Sequence, residues 1–259
     1  MGPTATGKTA LGVALARRFS GEVISCDSMQ IYQGLDVGTA KVTPEEMQGV
    51  PHHLVGFLAP EQAFSVADFT TLAGKTITQL TAQGKLPLVV GGTGLYITSL
   101  LNGIGFTPEK VDPAIRQELQ ARLQAEGSQA LYAELAAVDP GYAAKVHPNN
   151  TPRVIRALEL YRATGRKMSA EREAARPAEK PYRSLCLCLT CRDRTLLYQR
   201  IDTRCDRMMQ SGILEEAKLV YDHRDTYRTA AQAIGYKEFF PFFEAVSYTH
   251  LRAHETGRN

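Results

Sequence analysis

Over the first hundred residues, short apolar runs alternate with stretches of helical period, the pattern of strand–helix–strand units around a mainly parallel sheet. Two runs predict strands, Glu22–Cys26 and Leu86–Val90, and Lys8–Phe19 places Leu11, Leu15 and Phe19 on one face of a helix. Ser65–Gln83 predicts a second helix. Each strand runs into residues that are poor for strands: Asp27-Ser28 after the first, and Gly91-Gly92-Thr93-Gly94 after the second. In open α/β sheets, ligands gather beyond the carboxyl ends of the strands. From Asp112 to Lys167 the pattern changes to helices without strands. Asp112-Pro113 starts one, with Ile115, Leu119 and Leu123 following at four-residue spacing. Ser128–Val138 and Thr151–Thr164 predict two more, the last ended by Gly165. Tyr182–Thr190 then predicts a buried strand, followed by a helix from Asp193 through Met209. The expected organisation is an α/β core over residues 1–108 and 184–245, interrupted by a helical insertion over 109–183.

A chain of 259 residues with 44% apolar composition is long enough to bury a sizeable core. Thirty Lys and Arg against 27 Asp and Glu give a net charge of +3, too mild to announce a nucleic-acid or membrane partner. The positive charge is local. Residues 151–183 hold nine basic side chains (Arg153, Arg156, Arg162, Arg166, Lys167, Arg172, Arg176, Lys180 and Arg183) against four acidic ones. Such a stretch either tracks phosphates or forms an ordinary solvated helix face. Five cysteines without a secretory leader point to a reducing, cytoplasmic setting, and no apolar run approaches the roughly 18 residues that span a bilayer. Cys186, Cys188 and Cys191 lie close together in sequence, but nothing nearby supplies the fourth ligand that zinc requires.

Gly2-Pro3-Thr4-Ala5-Thr6-Gly7-Lys8-Thr9 fits the phosphate-loop pattern G-x-x-x-x-G-K-[ST], and an amphipathic helix follows at once. In such a loop, successive backbone N–H groups face an anion at the positive end of a helix, Lys8 adds a point charge, and Thr9 offers a hydroxyl to Mg²⁺. A nucleoside-triphosphate hydrolase would add an apolar strand ending in Asp beside the metal. Here the stronger strand ends in glycines and Thr93, and Asp27, after the other strand, is the one carboxylate placed to reach a substrate near the loop. A lone acid there suits a general base on an acceptor, or else a turn-capping Asp. The strand that normally precedes the loop is absent from the sequence, so a truncated start is expected.

Taken together, these residues resemble the tRNA dimethylallyltransferases, the IPP transferase family. The resemblance rests on the loop Gly2–Thr9 and on Asp27-Ser28-Met29-Gln30-Ile31-Tyr32, Gly38-Thr39-Ala40-Lys41 and His52-His53-Leu54. It continues through Ser65-Val66-Ala67-Asp68-Phe69, Val90 to Tyr96, His147 to Glu159 and Ala233-Ile234-Gly235-Tyr236-Lys237-Glu238, in family order over about residues 2–244. The resemblance implies a P-loop α/β core with a tRNA-binding insertion. It implies transfer of a dimethylallyl group from dimethylallyl diphosphate to N6 of adenosine 37 in the anticodon loop. In that scheme Asp27 is the base and Thr93 bonds the donor's bridging oxygen. Gly2, Pro3, Thr4, Ala5, Thr6, Gly7, Lys8, Thr9 and Arg204 hold the diphosphate, with Mg²⁺ on Thr9. The tRNA anticodon stem-loop would meet Asp27, Ser28, Met29 and Gln30, Arg116, and Pro152, Arg153, Val154, Ile155 and Arg156. Where the family usually has Gln, Pro152 brings neither a side-chain donor nor a backbone N–H.

Val246 to Asn259 matches nothing in the family pattern and reads as an unrelated tail, outside the fold. The expected enzyme is a monomer with no membrane partner. The rival readings are a P-loop small-molecule phosphoryl transferase or adenylate prenyltransferase, and an RNA-binding remnant without turnover.

Overall fold

The computed structural model describes residues 1–104, 112–175 and 179–245. The tail 246–259, the expected core–insertion junction at 108/109 and Arg176 lie outside the described residues. The chain divides into two compact units, one of Met1–Leu100 with Ser184–Asn259, the other of Leu101–Arg183.

In the first unit, α1 (Lys8–Arg18), β1 (Gly21–Cys26), α2 (Pro44–Met47), β2 (His52–His53), α3 (Val66–Ala82), β3 (Leu86–Gly91) and α4 (Gly94–Leu101) follow in order. All three strands are parallel, in the order β2-β1-β3, as the alternating pattern predicts. β1 is the central strand and its residues Glu22 to Cys26 are all buried. Val13 and Ala16 of α1 pack with Val23 against one face of the sheet. Ser65 caps α3 with a capping box: its hydroxyl accepts from the Asp68 N–H while Asp68 accepts from the Ser65 N–H. At the foot of the sheet the buried Glu22 carboxylate binds both Lys85 and His53, the latter at 2.6 Å, which ties β1 to the strands on either side.

The predicted buried strand Tyr182–Thr190 does not form. Leu185 is 87% exposed, and Cys186 and Cys188 are also exposed. Among the described residues its ladder is confined to Met1, whose amino group donates to the Leu187 carbonyl and whose carbonyl accepts from the Leu189 N–H. Pairing with a single residue cannot carry a strand, whatever the apolar content of the segment. After it come α9 (Arg194–Gln210), N-capped by Asp193, and α10 (Ile213–Asp222). Short 3₁₀ turns at Ala230–Gln232 and Lys237–Phe239 complete the unit. Here Ile31, Tyr32 and Leu35 form a core with Ala217, Val220 and Tyr236, so the chain after β1 is packed against α10.

The second unit contains α5 (Pro113–Val138), α6 (Pro140–Ala143), α7 (Thr151–Thr164) and α8 (Met168–Ala174). The two helices expected before Val138 run as one element broken at Gly127, whose φ of 79° and ψ of 173° no helix contains. Leu119, Leu131 and Leu135 of α5 pack on Val154 and Leu158 of α7. Beside them Glu159 is 1% exposed, and Arg116 grips it through two guanidinium nitrogens, one at 2.9 Å, with Arg156 at 3.4 Å. On the outer side Arg162 joins Glu134 and Glu118, and Arg122 joins Glu126 and Glu134.

Burial pushes the Glu159 carboxyl up, but Arg116 and Arg156 pull it further down, and the net direction is below the usual carboxylate range. An acid depressed in the folded state stabilises above its unfolded value of about 4.3, and that contribution is lost as pH falls through the folded value. Glu159→Gln should therefore cost the helical unit about 1–3 kcal/mol at neutral pH and flatten the acid limb of its unfolding curve. Circular dichroism followed from pH 7 to pH 2 reads both effects.

Candidate active site

The register of β1 on β3 pairs Cys26 with Gly91, so Asp27 and the Gly92-Thr93 turn leave the sheet side by side. A Cβ on Gly91 would lie 2.1 Å from the Cys26 carbonyl oxygen, so only glycine allows this approach. The Thr93 N–H donates back to the Cys26 carbonyl at 3.2 Å. The Thr93 hydroxyl oxygen accepts from the Ser28 N–H at 3.1 Å, and the hydroxyl itself donates to the Ser28 Oγ at a long 3.5 Å, a contact a stronger acceptor could replace. Asp27 Oδ1 accepts from the N–H groups of Met29 at 2.9 Å and Gln30 at 3.4 Å. This is the turn-capping role open to a lone Asp, and it engages one oxygen. Among the described residues Oδ2 has no hydrogen bond. Asp27, Ser28 and Thr93 are all half-buried, shielded yet accessible. The Cys26 thiol beneath them is pushed up to about 12, by burial first and then by Asp27, which makes it inert as a nucleophile at neutral pH.

The phosphate loop opens α1, with Gly7 in the left-handed region at its N-terminus. Lys8 Nζ lies against the loop itself, donating to the carbonyls of Gly2 at 2.8 Å and Pro3 at 2.6 Å. Its ammonium is held below the usual lysine range by burial and then by the charge of Arg204, with Asp27 acting in the opposite sense. Lys8, Arg204 and Asp27 therefore share one electrostatic neighbourhood, although α9 and α1 are far apart in sequence. Thr9 is exposed in the first turn of α1, and no cluster of three His, Cys, Asp or Glu side chains suited to a metal occurs among the described residues.

Gln30, on the turn that Asp27 caps, is fixed at both ends. Its Nε2 donates to the carbonyls of Ala40 at 3.0 Å and Thr39 at 3.3 Å, and its Oε1 accepts from the Ser25 hydroxyl at 3.3 Å. Lys41 in turn donates to the Tyr32 carbonyl and pairs with Asp36. Glu216, to which sequence reasoning assigns nothing, accepts from three N–H groups of the same loop and from the Tyr236 hydroxyl. Its loop partners lie 178 to 180 residues away, so no local spacing signals it.

In the helical unit, Arg116 and Pro152 line a groove of about 530 Å³ between α5 and the start of α7, together with Gln120, Leu123, Gln124 and Thr151. Val154, expected among RNA contacts, is 1% exposed in the core with Leu119 and Leu131, while Ile155, 8% exposed, packs in the same core and also lines this groove. Arg116 and Arg156 are engaged by Glu159. Arg153 is exposed and has no ion pair among the described residues.

The profile described as IPP transferase matches residues 30–258. The chain belongs to the IPP transferase family. The profile of a second family, isopentenyl transferase, matches residues 1–55, the stretch that contains the phosphate loop and β1. Among curated IPP transferase relatives, the tRNA dimethylallyltransferase of Bacillus subtilis is 49% identical over 244 residues, which is 94% of this chain and 77% of that protein. That of Geobacillus thermodenitrificans is 47% identical over the same shares. The crystal structure of the full-length tRNA isopentenylpyrophosphate transferase from Bacillus halodurans is 45% identical, with a TM-score of 0.64 over 94% of this chain and 76% of that one. A eukaryotic dimethylallyltransferase acting on tRNA, 32% identical, superposes with a TM-score of 0.77 over 94% of this chain and 62% of that one. The family resemblance and the α/β phosphate-loop fold expected from the motifs are both borne out. No helix among the described residues is long and apolar enough to cross a membrane.

Because Gly91 admits the Cys26 carbonyl, it sets how closely Asp27 and Thr93 approach. Gly91→Ala should destabilise this unit by about 1–3 kcal/mol through overpacking against backbone. Urea unfolding of the purified variant measures the loss.

Proposed function

We propose that the chain transfers a dimethylallyl group from dimethylallyl diphosphate to N6 of the adenosine at tRNA position 37, in the cytoplasm. The supporting observation is the pairing of a half-free carboxylate, Asp27, with a hydroxyl, Thr93, whose proton is held only by a long 3.5 Å bond to Ser28, at the ends of adjacent parallel strands. Ionisation of the allylic carbon–oxygen bond leaves positive charge on the prenyl fragment and builds negative charge on the departing diphosphate. Donors fixed on that diphosphate lower the barrier. Lys8, the N–H groups of Gly2 and of Thr4 to Thr9, and Arg204 supply them, and the Thr93 hydroxyl donates to the bridging oxygen as it leaves. The N6–carbon bond forms as the carbon–oxygen bond breaks, and the surplus N6 proton passes to Asp27 Oδ2. Oδ1 stays bound to the Met29 and Gln30 amides, which fixes the direction of the second oxygen.

Mg²⁺ would share the diphosphate charge from the Thr9 hydroxyl, a neutral donor that fits a metal carried mostly by substrate oxygens. The target base leaves the anticodon stack to reach Asp27, as chemistry on a stacked base demands. We read the helical unit as the RNA-binding insertion, with Arg153 as its best phosphate contact.

The test is transfer of labelled dimethylallyl to an anticodon stem-loop carrying adenosine or guanosine at position 37. Label on the adenosine RNA alone supports the assignment, whereas label on AMP in preference to RNA would make the protein an adenylate prenyltransferase. Asp27→Ala should lower turnover roughly 10²-fold or more with modest change in RNA affinity, and full activity would remove it as the base. Thr93→Ala should slow chemistry more than it weakens donor binding, as single-turnover rates against donor concentration will tell. Arg153→Ala should weaken stem-loop binding and reduce the salt slope of log K by about one. Arg156, already engaged by Glu159, should give the smaller effect in the same titration.

A further inference from the structure

The Glu216 carboxylate on α10 is a point of convergence. Its Oε2 accepts from the N–H groups of Asp36 at 2.7 Å and Val37 at 3.0 Å, and its Oε1 from the Gly38 N–H at 2.8 Å and the Tyr236 hydroxyl at 2.7 Å. Four donors on one ionised group make an anchor stronger than any neutral hydrogen bond in the loop. Gly38 makes the arrangement possible, because a Cβ there would lie 2.4 Å from the Tyr236 ring and 2.9 Å from Ile213. The loop fixed in this way runs directly into Thr39 and Ala40, whose carbonyls hold the Gln30 amide. Gln30 belongs to the turn whose N–H groups hold Asp27 Oδ1.

We infer that Glu216, with Tyr236, is a positioning residue for the acceptor base: it holds loop 36–40 where the Thr39 and Ala40 carbonyls orient Gln30 and, through the same turn, Asp27. The inference rests on the proposed transfer to an adenine. In the proposed reaction the donor diphosphate is held by the phosphate loop, Lys8 and Arg204, none of which is among the partners of Glu216. Loss of the anchor should therefore act on the acceptor and spare the donor. Burial first, and then the bond to Glu216, push the Tyr236 hydroxyl well above the usual tyrosine range, so it remains a donor throughout the working pH range.

Glu216→Gln keeps the shape and replaces the charged acceptor by an amide whose NH₂ opposes the loop N–H groups. It should lower kcat/KM for the stem-loop RNA on the order of tenfold or more while leaving KM for dimethylallyl diphosphate within about twofold. Tyr236→Phe, which keeps the ring against Gly38, should show the same selectivity to a lesser degree. Unchanged kinetics, or a loss shared equally by RNA and donor, would reduce Glu216 to a fold contact and overturn the inference. If Glu216→Gln fails to fold, Tyr236→Phe and amide hydrogen exchange in the wild-type chain decide. Slow exchange at Val37 and Gly38 is expected, and exchange as fast as in an open loop would overturn the anchor. Absence of transfer by folded wild type would count against the proposed function itself, and the exchange rates would still judge the anchor.

Discussion

The pairing of β1 with β3 is the constraint on which the site depends. Parallel strands in register deliver their carboxyl ends to the same level, and Cys26 opposite Gly91 brings two unlike chain reversals into contact. One begins with an acid, the other with glycines and a threonine. The backbone then finishes what the register begins. Thr93 donates its N–H to Cys26 and takes one from Ser28, so the two turns are bonded to each other rather than merely adjacent. Strand register and these turn bonds together bring a carboxylate and a hydroxyl into one small volume.

The sequence announces its local devices and hides its distant ones. α1, α3 and α9 begin at the capping and loop residues that their sequences advertise, and β1 and β3 occupy the expected apolar runs to within a residue. Tyr182–Thr190 has the composition of a strand but lacks the partner that makes one, and partners are not written in a segment's own residues. Val154 sits in a motif whose order marks the family, yet motif membership does not say that its side chain points into the core of α7 and its neighbours. Glu216 is invisible for the plainest reason, since its value comes from amides that the chain reaches only after folding.

Buried or half-buried acids recur as organisers. Glu22 joins three strands through Lys85 and His53, Glu159 holds two arginines at the core of the helical unit, and Glu216 gathers loop amides. In each case the carboxylate is satisfied by several donors, the condition under which a charge can leave water without a large penalty. The unit with the strongest local excess of positive charge thus commits part of that charge to internal pairs, even where the arginines themselves stay half exposed.

The loop lysine adds a last point. Two of the three ammonium protons of Lys8 already have carbonyl partners, at Gly2 and Pro3. On the proposed reading, a diphosphate that recruits this cation would compete with the loop carbonyls, so that binding would be an exchange of partners and not a simple addition of opposite charges. Its affinity would then be the difference between the bonds it makes and the two it displaces.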